Sequence, residues 1–179
     1  MNIETREELN SYLRLYFDLF KPIKVYSWIG GGSIRDFILG EKNKDIDFYF
    51  KDNIDKEKAL VLLKSLGYKL INSYKFHHTL QKNDLIIDIS HREKNPTDCI
   101  LNFDYTICAC AIDSNFKYYF HNHFFKDLAE KKLVRISQQD RFIITNIKRL
   151  NRFLKKGYSI DQNNLIKYLD DQEATFINR

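Results

Sequence analysis

The run Gly30-Gly31-Gly32 holds three of the chain's six glycines and limits the fold more than any other stretch. It follows the apolar segment Val25-Tyr26-Ser27-Trp28-Ile29 and precedes Ser33-Ile34-Arg35-Asp36-Phe37-Ile38-Leu39. Apolar run, glycines and capping residue read in turn as a strand, a tight turn and a helix start at Ser33. Without a Cβ, glycine lets backbone N–H groups approach a phosphate closely, and a helix N-terminus adds positive partial charge. A few residues on, Asp45 and Asp47 bracket Ile46. Positions i and i+2 of a strand face one side, so both carboxylates point the same way. Such hard oxygen ligands suit Mg²⁺, and two such ions clamp the attacking and leaving oxygens of a phosphoryl transfer. Alone, a glycine run is ordinarily a tight turn and an Asp-x-Asp pair a solvated strand end. Both in this order and at this spacing are far more specific.

Gly31-Gly32-Ser33-Ile34-Arg35-Asp36, then Leu39-Gly40, then Lys44-Asp45-Ile46-Asp47 resemble the head-domain signature of class II tRNA CCA-adding enzymes and bacterial poly(A) polymerases. These belong to the DNA polymerase β-like nucleotidyltransferase superfamily. The resemblance implies an α+β fold, a mixed sheet flanked by helices, with a short C-terminal helical appendix. It divides the chain into a head domain over residues 1–136 and a neck-like helical segment over 137–179. The implied activity is Mg-dependent, template-independent transfer of NMP from an NTP to an RNA 3′ hydroxyl, with tRNA as the model acceptor. Asp45 and Asp47, joined by Asp88, would hold two Mg²⁺ ions, and Gly31, Gly32 and Ser33 would cradle the NTP phosphates. Arg35 either meets a phosphate or pairs with Asp36 and shapes the turn.

Asp88 stands inside Leu85-Ile86-Ile87-Asp88-Ile89-Ser90, a strand paired with the one before it through Lys82-Asn83-Asp84. An acid among isoleucines is costly to bury unless paired or metal-bound, and the other reading puts it on the strand's solvent face. A second stretch, Asn102-Phe103-Asp104-Tyr105-Thr106-Ile107-Cys108-Ala109, resembles the family's Arg-Arg-Asp-Phe-Thr-Ile-Asn-Ala motif. Asp104 is the nucleotide-binding residue it carries over. Both arginines are absent, and Cys108 replaces the asparagine. Phe125-Lys126-Asp127-Leu128 and Lys131 to Ile136 resemble the close of the head domain.

Other elements follow from periodicity. Helices are predicted over 3–20, ending before Pro22, over 34–39, over 55–66 with Gly67 as C-cap, over 138–156 and over 163–169. Strands are predicted over 24–29, 46–50, 68–73, 75–80, 85–90 and 117–120. In the long helix, Ile143, Ile147, Leu150 and Leu154 form a stripe that should face the core. Arg141, Lys148, Arg152 and Lys155 lie on another face, either as a track for RNA phosphates or as a solvated basic face. Residues 131–156 hold nine Lys/Arg against the single acid Asp140.

A net charge of +5 mildly favours a polyanionic partner. Three cysteines make no even disulfide framework and suggest a reducing compartment; Cys108 and Cys110 read as small apolar strand residues. His121 and His123 have the spacing of one strand face but lack further zinc ligands nearby. No apolar run approaches a membrane span and no signal-peptide pattern opens the chain, so the expected location is cytoplasmic. Two other functions stay open: NMP transfer to a protein or small-molecule hydroxyl, as in toxin-like or drug-modifying members of the superfamily, and a catalytically silent nucleotide- or RNA-binding module. Against the last, two aligned carboxylates repel each other without a cation between them.

Overall fold

The structure, a computed structural model, describes residues 3–43, 45–136, 143–166 and 169. Lys44 of the first motif, Arg141 of the basic face and the expected helix start at 138 lie outside the described residues. The chain divides into two compact units, Met1–Ile100 with Cys110–Phe120, and Leu101–Ala109 with His121–Arg179.

The first unit contains α1 (Ile3–Phe17), β1 (Ser27–Gly30), α2 (Gly32–Ile38), β2 (Asp45–Phe50), α3 (Asn53–Ser65), β3 (Lys69–Ser73), β4 (His77–Lys82), β5 (Leu85–Ser90), α4 (Pro96–Leu101), β6 (Cys110–Asp113) and β7 (Tyr118–Phe120). The strands form one seven-stranded sheet in the order β3-β4-β5-β2-β1-β6-β7. The sheet is mixed: β2 and β5 run parallel and every other pairing is antiparallel. The α+β reading therefore holds.

Alternation along the strands decides which side is covered. Ile46, Phe48, Phe50, Leu80, Ile87 and Ile89 are buried, together with Leu9 and Leu13 of α1 and Ala59 and Leu63 of α3. Phe20 and Phe17 pack edge-on against Phe48, at 4.7 and 5.8 Å between ring centroids. Six or more large side chains buried at roughly 1.5–3 kcal/mol each are ample to hold the helices on that face.

Several boundaries differ from the periodicity, each for a local reason. The first helix stops at Phe17 and passes into a 3₁₀ segment, Asp18–Ile23, that contains Pro22. Lys24 then adopts φ 50°, which is not extended, so β1 begins at Ser27 rather than 24. Asp52 caps α3 by accepting from the Asp55 N–H at 2.9 Å, which moves the start back to Asn53. The turn between β3 and β4 is closed by Tyr74 and His77 through their backbone groups at 2.8 and 3.3 Å, so β4 starts at His77 instead of 75. At the other end of β4, Asn83 takes φ 52° in the tight turn into β5, as the sequence suggested.

The second unit holds α5 (Phe124–Ala129), α6 (Ile143–Lys155) and a 3₁₀ turn at Thr106–Cys108. Cys108 is therefore a turn residue, not a strand residue, while Cys110 is in β6; both are fully buried thiols outside any disulfide. His121 and His123 follow the end of β7 and share no strand face; the His123 N–H donates to His121 Nδ1 at 3.2 Å. Residues 162–166 are helical, with Asp161 accepting from the Asn164 N–H at 2.9 Å.

The face that α6 buries is not the expected one. Ile147 and Leu154 are 52% and 42% exposed, whereas Asn146 and Phe153 are buried. Two interactions set this rotation. The Phe153 ring packs edge-on against Tyr105 and Tyr158 at 5.6 and 5.5 Å, and Arg149 Nε forms an ion pair with Asp104 Oδ2 at 2.5 Å. Replacing Arg149 with Met leaves a largely buried carboxylate without its cation. The expected cost is about 2 kcal/mol in urea unfolding, below the value for a fully buried pair because Arg149 is partly exposed. The double variant Arg149→Met/Asp104→Leu should recover most of that loss.

Candidate active site

Within β2, exposed Asp45 and half-buried Asp47 alternate with buried Ile46 and Phe48, so both carboxylates stand on the face opposite the aromatic core. The parallel pairing of β2 with β5 sets Asp47 against Asp88 and Asp45 against Ile86. Asp88 therefore shares the face of Asp45 and Asp47, one strand away. Because β1 runs antiparallel to β2, with Ile29 opposite Phe48, the glycine turn at the end of β1 lies beside the start of β2. The sheet thus brings together the turn and three acids separated by more than fifty residues of chain.

Asp88 is held in place by its neighbours on β4. The Thr79 hydroxyl donates to Asp88 Oδ1 at 2.6 Å, and His77 Nε2 lies 3.2 Å from the same oxygen and 3.0 Å from Thr79 Oγ1. Neither residue emerged from motif reading. The signal was present: a two-residue turn at Asn83-Asp84 fixes the β4–β5 register, which puts Thr79 opposite Asp88.

In the glycine turn, Gly31 adopts φ 83° and ψ −136°, a conformation open essentially to glycine alone. Its N–H donates to the Cys110 carbonyl at 2.9 Å and is thereby committed to the fold. Ser33 is buried, and its hydroxyl has no hydrogen-bond partner among the described residues. Gly32 is the member of the three that keeps part of its surface. Of the two readings of Arg35, pairing with Asp36 is the one observed. Arg35 is 5% exposed, its Nε donates to Asp36 Oδ1 at 2.7 Å, and a Cβ placed on Gly32 would lie 3.5 Å from its guanidinium.

Cys99, on α4, is buried. Burial pushes its thiol well above the usual range, and the Glu93 and Asp47 charges push the same way. Among the described residues, no group of three or more His, Cys, Asp or Glu is arranged as a ready metal site. Mg²⁺ does not require one, because it ordinarily takes one or two carboxylates and completes its shell with water and substrate phosphate. Asp45 and Asp47, with Asp88 alongside, fit that donor chemistry.

The remaining sequence candidates lie in the second unit. Asp104 is buried in its ion pair with Arg149, whose other end approaches Cys108 Sγ at 3.7 Å. Lys148, Arg152 and Lys155 are exposed on α6 at i, i+4 and i+7, on one face. Arg149, next to Lys148 in sequence, is not part of this face but the partner of Asp104.

The mixed sheet that presents Asp45, Asp47 and a registered Asp88 beside a glycine turn has the head-domain fold of the CCA-adding enzymes. Solved structures agree on the fold. The CCA-adding enzyme of Thermotoga maritima complexed with tRNA is 23% identical, with a TM-score of 0.73 over 96% of this chain and 44% of that one. A CCA-adding enzyme with CTP is 21% identical, with a TM-score of 0.72 over 100% of this chain and 49% of that one. A tRNA nucleotidyltransferase complexed with a primer tRNA and an ATP analog is 19% identical, with a TM-score of 0.65 over 88% and 50% of the two chains. This chain thus spans half or less of the length of those enzymes. No curated protein matches it. The chain belongs to the Gabija anti-defense 2 family, whose model matches residues 5–131.

The two exchangeable glycines should respond differently to alanine. Gly31→Ala forces an L-residue into a glycine-only conformation and should cost about 1–3 kcal/mol. Gly32→Ala meets only ordinary contact and should cost less than about 1 kcal/mol, both read from chemical denaturation.

Proposed function

We propose that this protein is a Mg-dependent nucleotidyltransferase that moves NMP from an NTP to an RNA 3′ hydroxyl, releasing pyrophosphate. The observation that carries this reading is the registered set Asp45, Asp47 and Asp88 on one open sheet face beside the glycine turn. When bound at these carboxylates, two Mg²⁺ ions supply Lewis-acid activation of the hydroxyl and neutralise charge on the leaving pyrophosphate. The chain's own residues do the positioning. Gly32 lets the triphosphate approach the turn without a side chain in the way. Arg35, held by Asp36, keeps the turn in shape from below. Thr79 and His77 fix the orientation of Asp88. In-line attack by the acceptor hydroxyl, whose proton passes to water, then forms the bond from its oxygen to the α-phosphorus and breaks the bond from that phosphorus to the bridging oxygen, which leaves with the pyrophosphate.

RNA as acceptor is supported by the tRNA complexes of the similar structures and by the exposed cations Lys148, Arg152 and Lys155. A second acceptor is favoured by one observation, the description of the family as anti-defense against Gabija, which puts a component of a defence system forward as the target. A protein hydroxyl would then receive the NMP. Three buried cysteines held as thiols suit a reducing, cytoplasmic setting, and among the described residues no helix is long and apolar enough to cross a membrane.

Incubation with Mg²⁺, each α-labelled NTP in turn, and cellular RNA plus protein extract tests the reading. Nuclease-sensitive label is the expected result; protease-sensitive label would move the acceptor to protein, and no label with any NTP would leave a silent binding module. Asp45→Ala and Asp47→Ala should each lower transfer at least ~1,000-fold, a loss in line with removing the charge stabilisation at the reacting phosphate. Each variant should keep the far-UV circular dichroism of the wild type, so that lost transfer reports on the chemistry and not on the fold. Near-wild-type transfer by either variant would refute the assignment. The triple variant Lys148→Glu/Arg152→Glu/Lys155→Glu should weaken RNA binding and reduce the slope of log K against log salt; an unchanged slope makes that face merely solvated.

A further inference from the structure

The face that bears the carboxylates continues past Asp88 toward the edge of the sheet. On β4, Thr79 stands opposite Asp88 and His77 opposite Ser90. On β3, Asn72 stands opposite Thr79, and the turn pairs Tyr74 with His77 through reciprocal backbone bonds. Directly opposed residues of an antiparallel pair share a face, so Asn72, Tyr74, His77 and Thr79 all stand on the side of Asp47 and Asp88. The His77 ring joins the two regions. Its Nε2 lies 3.2 Å from Asp88 Oδ1, and its ring stacks with Tyr74 at 6.3 Å between centroids and 29° between planes.

Tyr74 is 66% exposed. A large aromatic ring left in water, supported from behind by an imidazole that touches a catalytic carboxylate, is a surface suited to stacking. The charge around it is positive. Residues 69–84 carry Lys69, Lys75 and Lys82 against the single acid Asp84, and Lys69 and Lys75 are exposed. Aromatic rings interleaved with cations are how single-stranded nucleic acids are gripped without regard to sequence.

We propose that Tyr74, backed by His77, is the platform on which the terminal base of a single-stranded RNA acceptor stacks. This placement brings the ribose of the stacked nucleotide to Asp88 and Asp47. The proposal rests on the RNA reading of the acceptor and adds the subsite that receives it. Because β4 carries both Thr79 and His77, one strand orients the carboxylate and supports the acceptor base.

The test is binding of a 5′-fluorescent single-stranded oligoribonucleotide to the full chain, measured by anisotropy without NTP. The same oligomer with an abasic 3′-terminal ribose is the comparison. For the wild type, the intact oligomer should bind ~5- to 150-fold more tightly than the abasic one, the range that stacking of one base commands. Tyr74→Ala should abolish the difference, and Tyr74→Phe, which keeps the ring, should retain it. Tyr74 lies in an exposed turn, so the fold does not depend on its side chain. The proposal is overturned if intact and abasic oligomers bind the wild type alike, or if Tyr74→Ala preserves the ratio. The outcome is separable from that of the transfer assay. RNA labelling with a Tyr74-independent ratio removes the platform and leaves the transferase. A Tyr74-dependent ratio with label on protein keeps the platform and removes RNA as the substrate.

Discussion

The parallel pairing of β2 with β5 is the constraint on which the site depends. In a sheet otherwise antiparallel, this pair sets Asp47 against Asp88. Parallel neighbours need a crossover, and here it consists of α3 and the β3–β4 hairpin, which return the chain so that β5 enters beside β2. The crossover helix also contributes Ala59 and Leu63 to the core under both strands. Packing of that helix and placement of the acids are therefore one event. A slip of β5 by one residue would turn Asp88 into the core and Ile87 and Ile89 out to water.

The aromatic cluster beneath the sheet gives the site its rigidity. Phe17, Phe20, Phe48 and Phe50 contact one another edge-on or stacked, and Phe48 and Phe50 alternate along β2 with the positions that face the site. Buried rings lock the strand while the intervening side chains remain available for chemistry. Trp28 and Tyr49 stack nearly parallel, with 9° between planes, and brace β1 against β2 on the other face. The abundance of Phe and Tyr thus serves the placement of a few small polar groups.

The legible parts of the sequence were those governed by short-range rules. The glycine turn, the alternation around Asp45 and Asp47, and the Asn83-Asp84 hairpin all depend on backbone preferences or a two-residue period. The parts that escaped were set at long range. The rotation of α6 depends on an ion pair between Asp104 and Arg149 and on rings at Tyr105 and Tyr158, none of which periodicity within the helix can report. The turn Tyr74-Lys75-Phe76-His77 contains no glycine, proline or asparagine, so nothing in it marked the start of β4. The left-handed Lys24 was equally silent. At the site, Asp88 was legible as an anomaly among isoleucines, but its clamp by Thr79 and His77 required the register.

The outermost strand of the sheet carries one more meaning. All five residues of β3 are exposed, Leu70 and Ile71 among them, and its pairing with β4 slips between Leu70 and Asn72. A straight apolar edge of this kind invites strands of other molecules to add on. The irregularity twists the edge away from a flat template, and Lys69 puts a charge at its start. Among the described residues this margin of the sheet therefore stays exposed without offering a straight template to another strand.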